Sequence, residues 1–203
     1  MYNPKTIHFI FIDIKLYKTY EENPIYLKCV EENRKRQEDF TIKIWNESML
    51  DNLVKTKYSN YIDFWNSFPN KFWKIDFGRY LILLEEGGIY VDMDDIILDK
   101  IDLNQPYILV NFYNKNIKKY EFCNNIIYYR DKNIYKSLIE YSIERFRICK
   151  MPKEWKIRRF FFIVSARMYN EFNKKKLGLD PNNIKYSINF TSYGSRSWLK
   201  IKW

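Results

Sequence analysis

The sequence predicts an α/β fold formed by a single domain over residues 1–203. A short apolar run rich in β-branched and aromatic residues, typical of a buried strand, occupies residues 6–12, and residues 40–45 alternate like a second strand. The charged segment between them, residues 21–39, is compatible with a helix that starts at Pro24. A strand, a helix and a strand in this order begin an α/β sheet of the kind found in nucleotide-binding domains. A length of 203 residues also fits one domain with a substantial core.

The elements that follow are predicted from apolar periodicity and from the positions of glycine and proline. In chain order they are a polar helix over 47–61, an aromatic loop over 64–69, a helix ending at the glycine pair 87–88, a strand over 89–93, an apolar segment at 96–98, a strand over 107–112, a strand over 126–129 and an amphipathic helix over 133–150. Helices and strands therefore alternate along most of the chain, as expected for a sheet covered by helices.

The stretch from Gly87 to Asp95 is the part of the chain with the clearest functional pattern. A helix-period run stops at the glycine pair, which suits a left-handed helix cap, and an apolar strand follows. Side chains alternate along a strand, so Tyr90, Asp92 and Asp94 are predicted to share one face. Two carboxylates therefore converge at the end of this strand.

Neighbouring carboxylates repel each other unless a cation or several donors lie between them. Asp92 and Asp94 therefore predict a site for Mg²⁺ or Mn²⁺, which prefer oxygen ligands and commonly bind a phosphate as well. A lone Asp-x-Asp is more often a solvated turn, because short motifs match by chance. The context here favours the cation site, since Asp76 and Arg79 lie on one face of the preceding helix.

The combined pattern of residues 74–80 (KIDFGRY) and 87–94 (GGIYVDMD) resembles the sugar transferases that contain a DXD motif. It is most similar to the group that holds the yeast initiating mannosyltransferase, capsular polysaccharide transferases and the clostridial glucosylating toxins. The resemblance implies a GT-A-like (Rossmann-like) fold, in which a mixed sheet flanked by helices binds a nucleotide sugar. It also implies a metal-dependent hexosyltransferase with Mn²⁺ or Mg²⁺ as cofactor.

The resemblance further implies the reaction and its partners. The donor is a nucleotide sugar, with a UDP-sugar favoured, and the acceptor is a glycan, a lipid-linked molecule or a protein. Most of the group retain the anomeric configuration. Asp92 would contact the nucleotide ribose and the ion, Asp94 would bind the ion, and Asp76 with Arg79 would hold hydroxyls of the transferred sugar. These four residues are the candidate catalytic residues.

Further donor contacts are implied at both ends of the chain. An aromatic residue at the position of Phe11 packs against the base, and Ser197-Trp198 matches a Ser-Trp that folds over the donor diphosphate, which makes Ser197 a third candidate metal ligand. Asn125 is a candidate contact to the sugar, with an ordinary turn as the alternative. The full set predicted to bind donor is Phe9, Ile10, Phe11, Asp76, Arg79, Tyr80, Asp92, Met93, Asp94, Asn125, Ser197 and Trp198.

A formal net charge of +10 favours anionic partners, including nucleotides, phospholipid surfaces and nucleic acid. The basic and aromatic segment 153–169 supports an alternative, a non-catalytic nucleic-acid-binding α/β domain. We favour no nucleic-acid partner, because no RNA-binding signature is present and the acidic strand would repel a phosphate backbone. Peripheral contact of a basic face with anionic membrane is a third expectation, since it would bring a lipid-linked acceptor within reach.

The number and spacing of cysteine and histidine residues limit the kinds of metal site and disulfide that the chain could form. Cys29, Cys123 and Cys149 fit neither a disulfide framework nor a zinc site, which predicts a reducing compartment. No leader or membrane-length apolar run is evident, so a cytoplasmic location is expected. His8 is the single histidine, which excludes a histidine-based metal cluster, and we predict that it is a hydrogen-bonded core residue.

Overall fold

The computed structural model describes residues 5–13, 17–150 and 156–193 of the chain. The strands are β1 Thr6–Ile10, β2 Thr41–Trp45, β3 Ile89–Val91, β4 Asp95–Ile97, β5 Tyr107–Asn114, β6 Lys119–Tyr129 and β7 Phe190–Ser192. The helices are α1 Pro24–Arg36, α2 Glu47–Lys57, α3 Ile62–Asn66, α4 Lys71–Glu86, α5 Lys132–Ile148, α6 Lys156–Ile163 and α7 Ala166–Lys175. Five strands form the main sheet, in the order β2-β1-β3-β6-β5, and β4 pairs with β7 in a small second sheet.

The main sheet is mixed, which confirms the predicted fold class. β1 is parallel to both β2 and β3, whereas β6 is antiparallel to both β3 and β5. The apolar runs lie side by side in register, with Ile7 opposite Ile42 on one side and Ile89 on the other. The carboxyl ends of β1, β2 and β3 therefore meet at one edge of the sheet, the usual position of a ligand site in such folds.

Alternation along the strands divides the buried side chains between the two faces of the sheet. Ile7 and Phe9 belong to one cluster, together with residues of α1, while Ile10 and Ile12 belong to the other, together with residues of α2 and α4 to α7. Both faces are thus covered by apolar packing, as the continuous apolar sequence of β1 predicts.

Short polar side chains fix where the helices begin. Asn23, Asn46, Asn70 and Asp131 each precede a helix and accept a hydrogen bond from a backbone N–H of its first turn, at 2.9 to 3.1 Å. These bonds satisfy donors that the helix itself leaves unpaired, which is why such residues are favoured at this position. The Asn70 cap fixes the start of α4, the helix that carries Asp76 and Arg79.

The glycine pair and His8 join α4 to the sheet. Gly87 and Gly88 both have φ of +74°, and a β-carbon on Gly88 would lie 2.3 Å from the Thr6 carbonyl oxygen. His8 is fully buried, donates from Nε2 to the Gly87 carbonyl at 3.0 Å and accepts at Nδ1 from the Trp45 indole at 3.1 Å. The predicted core histidine is confirmed.

Several sequence predictions were wrong in detail. The aromatic loop over 64–69 is partly helix α3, because Phe64 and Trp65 are buried and pack against α4. The strand over 89–93 ends at Val91, where the chain turns. The strand over 126–129 begins seven residues earlier, at Lys119, because pairing with β5 extends it.

The sequence analysis did not predict the small sheet. The predicted apolar segment at 96–98 becomes β4, which pairs with β7 and not with the main sheet. The buried Asn33 side chain holds β4 onto α1, donating to the Asp95 carbonyl at 2.8 Å and accepting from the Ile97 N–H at 3.0 Å. None of the helices in the described ranges combines the length and apolar character needed to cross a membrane.

Candidate active site

A cavity of about 340 Å³ opens where β1 and β3 end. Its walls come from the segment after β1, from α1, α4, β6 and α6, and from the turn between β3 and β4. The residues lining it are Ile10, Phe11, Ile12, Tyr17, Tyr26, Phe72, Ile75, Asp76, Arg79, Tyr90, Asp92, Met93, Asp94, Asp95, Cys123, Asn124, Asn125, Phe160, Phe161, Ser165, Ala166 and Ser192. Acidic and amide side chains are therefore concentrated beside two groups of aromatic ones.

Arg79 forms the centre of the polar wall. Its side chain is 4% exposed and forms ion pairs with Asp76, one helical turn earlier, and with Asp92 at 3.4 Å. It also donates to the Asn124 carbonyl and lies over the Tyr90 ring, 4.5 Å from guanidinium carbon to ring centroid. The buried cation is thus shared between the α4 carboxylate and the β3 carboxylate.

Asp92 faces the cavity from the end of β3. Its Oδ1 accepts a hydrogen bond from the Tyr90 hydroxyl at 2.7 Å, and its backbone N–H donates to the Asn125 carbonyl at 2.8 Å. The side chain keeps 31% exposure, in contrast to the buried Asp76. Asp92 is therefore fixed by its neighbours and still accessible to a ligand.

The chain turns immediately after Asp92, which places the next acids. The Asp95 N–H donates to the Asp92 carbonyl at 3.0 Å, and the Asp94 carbonyl accepts from the Tyr193 N–H at 2.9 Å. Because of this turn, Asp94 reaches the cavity without the strand alternation that predicted it. Asp95 also lines the cavity, although alternation would direct it away.

Asp95 and Asn125 form a second buried polar pair. The Asn125 amide donates to Asp95 Oδ2, while Asp95 Oδ1 and Asn125 Oδ1 are buried without a hydrogen-bond partner. Buried acceptor oxygens without a partner are costly, so such atoms commonly face a ligand or an ion. This pair thus indicates a bound group beside Asp92 and Asp94.

The enclosure of the acids shifts their proton affinity. Burial raises the pKa of Asp92 to about 7, with Arg79 opposing the shift, and raises the pKa of Asp95 to about 8, with Asp92 adding to it. Burial also raises the pKa of Asp76, against the effect of Arg79. Burial alone would lower the pKa of Arg79, but Asp76, Tyr90 and Asp92 raise it above its ordinary value. A bound cation would favour the ionised carboxylates.

The donor set fits a hard divalent cation. Within the described residues, no three His, Cys, Asp or Glu side chains are arranged as a complete metal cage. Mg²⁺ and related ions are usually held by one or two carboxylates together with substrate phosphates, so a complete cage is not required. Asp92 and Asp94 meet that need, and the unpaired Asp95 oxygen lies beside them.

Most of the predicted site residues come together here. The cavity is lined by Ile10, Phe11, Asp76, Arg79, Asp92, Met93, Asp94 and Asn125. Phe9 and Tyr80 do not line it, which corrects their assignment. Phe9 is fully buried in the core cluster beneath α1, and the buried Tyr80 hydroxyl donates to the Val164 carbonyl at 3.1 Å. Ser197 and Trp198 lie outside the described residues.

Sequence reasoning missed three polar contributors. Asn124 donates to Asp76 Oδ1 at 3.0 Å, Tyr90 positions Asp92, and Asp95 pairs with Asn125. Asn124 and Asn125 both lie within β6, so the turn alternative for Asn125 was wrong. The third consecutive acid in Asp-x-Asp-Asp was the available signal for Asp95, whereas nothing local linked Asn124 to α4.

Comparisons with known sequences agree with this geometry. The family model described as "Glycosyltransferase sugar-binding region containing DXD motif" matches residues 25–123. The chain is 33% identical over 95 residues to the mannosyl phosphorylinositol ceramide synthase CSH1 of Saccharomyces cerevisiae, covering 45% of this chain and 23% of the yeast protein. It is 30% identical over 103 residues to SUR1, a synthase of the same description from that yeast, covering 49% and 24%. The chain thus spans about a quarter of the length of these relatives.

Among solved structures, the chain is similar to the PaToxG glycosyltransferase, with a TM-score of 0.62 over 86% of this chain and 70% of that one. Sequence identity is 15%, so this likeness concerns the fold. The fold is a mixed α/β sheet flanked by helices, and its structural neighbours are GT-A glycosyltransferases. Through residues 25–123, the chain is similar to the glycosyltransferases that contain a DXD motif.

Proposed function

We propose that this chain is a metal-dependent glycosyltransferase that moves a sugar from a nucleotide-sugar donor, with a UDP-sugar favoured, and retains the anomeric configuration. One observation carries the proposal. Asp76, Arg79, Asp92, Asp94 and Asp95 line the same cavity at the carboxyl ends of β1 and β3, although they come from a helix, a strand and a turn.

Asp92 and Asp94 are the proposed ligands of Mn²⁺ or Mg²⁺, and Asp95 is an added candidate on the basis of its unpaired oxygen. When bound, the ion would stabilise the negative charge of the departing nucleoside diphosphate. The Tyr90 hydroxyl holds Asp92 Oδ1, which leaves less freedom for that carboxylate to turn away from the cavity. Ser197 stays a proposed third ligand.

Arg79 and Asp76 have a positioning role in this proposal. Arg79 is fixed by Asp76, Asp92 and the Asn124 carbonyl, so its charge cannot move far from the cavity. Asp76 accepts a hydrogen bond from Asn124, which turns its carboxylate toward the same wall. Both groups are thus held rigidly where hydroxyls of the transferred sugar would bind.

Aromatic side chains offer surfaces for the rest of the donor. Phe11, Tyr17 and Tyr26 line one part of the cavity, and the Phe11 and Tyr26 rings meet edge to face at 6.3 Å between centroids. Such a group suits stacking against a nucleotide base. We propose Phe11 as the main base contact, as the resemblance implied.

The acceptor is proposed to be a glycan, a lipid-linked molecule or a protein. The yeast relatives are named for a mannosylated sphingolipid product, which supports the lipid-linked class and places mannose among the sugars to be tested. A reducing, cytoplasmic setting is proposed from the odd number and wide spacing of the three cysteines.

The alternative nucleic-acid-binding function has weaker support. Of the aromatic side chains in the basic segment, Phe160 is 4% exposed and packs with Trp73, at 5.8 Å between centroids. A stacking platform for bases needs exposed rings. The aromatic rings of this segment in the described part of the chain therefore serve the core and the cavity wall.

Calorimetry tests the proposal directly. UDP and GDP are titrated into the chain with Mn²⁺ and with EDTA, and binding of one of them in the presence of Mn²⁺ alone is expected. Asp94→Ala should abolish that binding. Asp39→Ala, which removes an exposed aspartate just before β2, is the matched control and should bind as the unmodified chain does.

Absence of binding for both nucleotides, or equal binding by the Asp94→Ala variant, would overturn the proposal. Slow hydrolysis of UDP-glucose, UDP-galactose, UDP-N-acetylglucosamine and GDP-mannose with Mn²⁺ then identifies the donor. The anomeric configuration of the released sugar, recorded by NMR before mutarotation, distinguishes retention from inversion.

A further inference from the structure

The hairpin that joins β5 to β6 has an unusual surface at its tip, which we define as residues 112–120. Its exposed large hydrophobic side chains are Phe112, Tyr113, Ile117 and Tyr120. Its basic side chains are Lys115, Lys118 and Lys119, and residues 112–120 contain no acidic side chain. The hairpin tip is therefore both apolar and cationic.

The exposed large hydrophobic side chains of the described residues are concentrated at the hairpin tip. Only seven large hydrophobic side chains are exposed in the described residues, and four of them belong to these nine positions. Tyr113 and Tyr120 are directly opposite each other, with ring centroids 5.3 Å apart, and both stay at least 42% exposed despite that contact. Clustered exposed apolar groups typically mark a site of interaction.

The hairpin tip and one wall of the cavity belong to the same strand, β6. β6 is antiparallel to β3 and passes the end of β3 at Asn125, whose carbonyl accepts from the Asp92 N–H. Beyond that point β5 and β6 extend past the edge of the sheet where the acids lie. From Asn124 to Lys119 the strand runs about 17 Å at about 3.4 Å per residue. The tip thus projects from the cavity edge.

We propose that the hairpin tip docks onto an anionic lipid bilayer. Aromatic rings and lysines are favoured at the boundary between headgroups and acyl chains, where the ring or the lysine stem contacts apolar groups and the polar end stays in water. Glu121 borders the tip and accepts from the Asn114 amide at 2.6 Å, so the three lysines leave a net positive charge that matches the negative charge of such a surface. Building on the proposed function, docking would hold the cavity close to a lipid-linked acceptor.

Vesicle flotation without any donor tests this surface. The chain is mixed with phosphatidylcholine vesicles, or with vesicles that also contain phosphatidylserine, and is expected to float mainly with the latter. Replacing Lys115, Lys118 and Lys119 together by Gln should lower the partition coefficient on the order of 100-fold, from about fivefold per lysine. Phe112→Ser with Ile117→Ser should lower it about tenfold or more.

Matched controls lie elsewhere on the surface. The triple variant of Lys55, Lys136 and Lys174 to Gln removes the same charge, and Ile148→Ser removes another exposed aliphatic side chain. Both should bind vesicles as the unmodified chain does. Equal losses in the control and tip variants would overturn the proposal, since net charge or general hydrophobicity would then explain binding.

Two other outcomes would also overturn it. One is absence of flotation with phosphatidylserine vesicles, and the other is sedimentation as a dimer that the Phe112→Ser and Ile117→Ser changes convert to a monomer. Nucleotide binding is measured separately, without vesicles, and the tip variants should retain it. Failure of flotation with intact nucleotide binding therefore removes only this inference, whereas the reverse result removes only the proposed function.

Discussion

At the residue scale, Arg79 shows how a buried charge is stabilised. The two carboxylates and the carbonyl around it supply the interactions that water would otherwise provide. Removing one partner of a buried ion pair is more damaging than the pair is stabilising, because the remaining charge is left uncompensated. Asp76 and Asp92 would be in that position without Arg79.

We predict that Arg79→Gln lowers the free energy of unfolding by about 3–5 kcal/mol, measured by urea denaturation. Arg167→Gln is the control, since Arg167 forms an exposed i,i+4 pair with Glu171 at 3.3 Å and its loss should cost about 0.5 kcal/mol or less. Similar small losses in both variants would show that the Arg79 network contributes little to stability.

His8 gives a prediction for pH dependence. Burial lowers its pKa to about 3, below the unfolded value of 6.5. The unfolded chain therefore takes up a proton first as the pH falls, and the folded state is destabilised between pH 6.5 and 3 by about 1.4 kcal/mol per pH unit. Between pH 6.5 and 5, the free energy of unfolding of the His8→Gln variant should fall by about 2 kcal/mol less than that of the unmodified chain. Urea denaturation at each pH measures this difference. Parallel curves for the two proteins would contradict this.

At the element scale, the link from α4 to β3 depends on Gly88. A β-carbon there would lie 2.3 Å from the Thr6 carbonyl oxygen and 2.9 Å from His8 Nε2, so β1 would have to move away from β3. This close approach lets the acids follow directly after a short, buried strand.

We predict that Gly88→Ala lowers the free energy of unfolding by about 2–4 kcal/mol, because backbone strain and a clash with backbone add together. Gly178 has φ of +66° with no atom within 4 Å of an added β-carbon, so Gly178→Ala should show the strain alone, about 1 kcal/mol. Thermal and urea unfolding measure both. Equal effects would mean that the Thr6 contact relaxes freely.

At the scale of the whole molecule, the cavity joins elements that are distant in the chain. Acids from the turn after β3 meet amides from β6 and the Arg79 helix, and the paired strands β4 and β7 close one side. Two carboxylates provide only part of a cation's coordination, so ion and nucleotide are expected to complete the site together.

We therefore predict that Mn²⁺ alone and UDP alone change the melting temperature little, whereas both together raise it. At about 100 times the dissociation constant, the added stability is about 2.7 kcal/mol, which corresponds to about 5–10 °C for a chain of this size. Differential scanning fluorimetry measures the shift, and Asp94→Asn should remove it. A full shift with Mn²⁺ alone would indicate a metal site independent of the donor.

Local signals in the sequence were sufficient for the order of the first elements and for four side chains that line the cavity, Asp76, Arg79, Asp92 and Asp94. The apolar run of β1, the proline at the start of α1 and the glycine pair after α4 each act within a few residues, so they can be recognised from the chain alone. Residue spacing also placed Asp76 and Arg79 on one helix face, which the ion pair confirms.

The tertiary structure decided which polar groups complete the site. Asn124 and Asn125 reach the acids only because β6 pairs antiparallel with β3, and Asp95 turns toward the cavity because the chain bends after Asp92. Phe9 was also predicted to bind donor, yet its side chain is fully buried in the core. Strand pairing between residues about 35 positions apart has no local signature, since the partners are selected by the burial of the whole sheet.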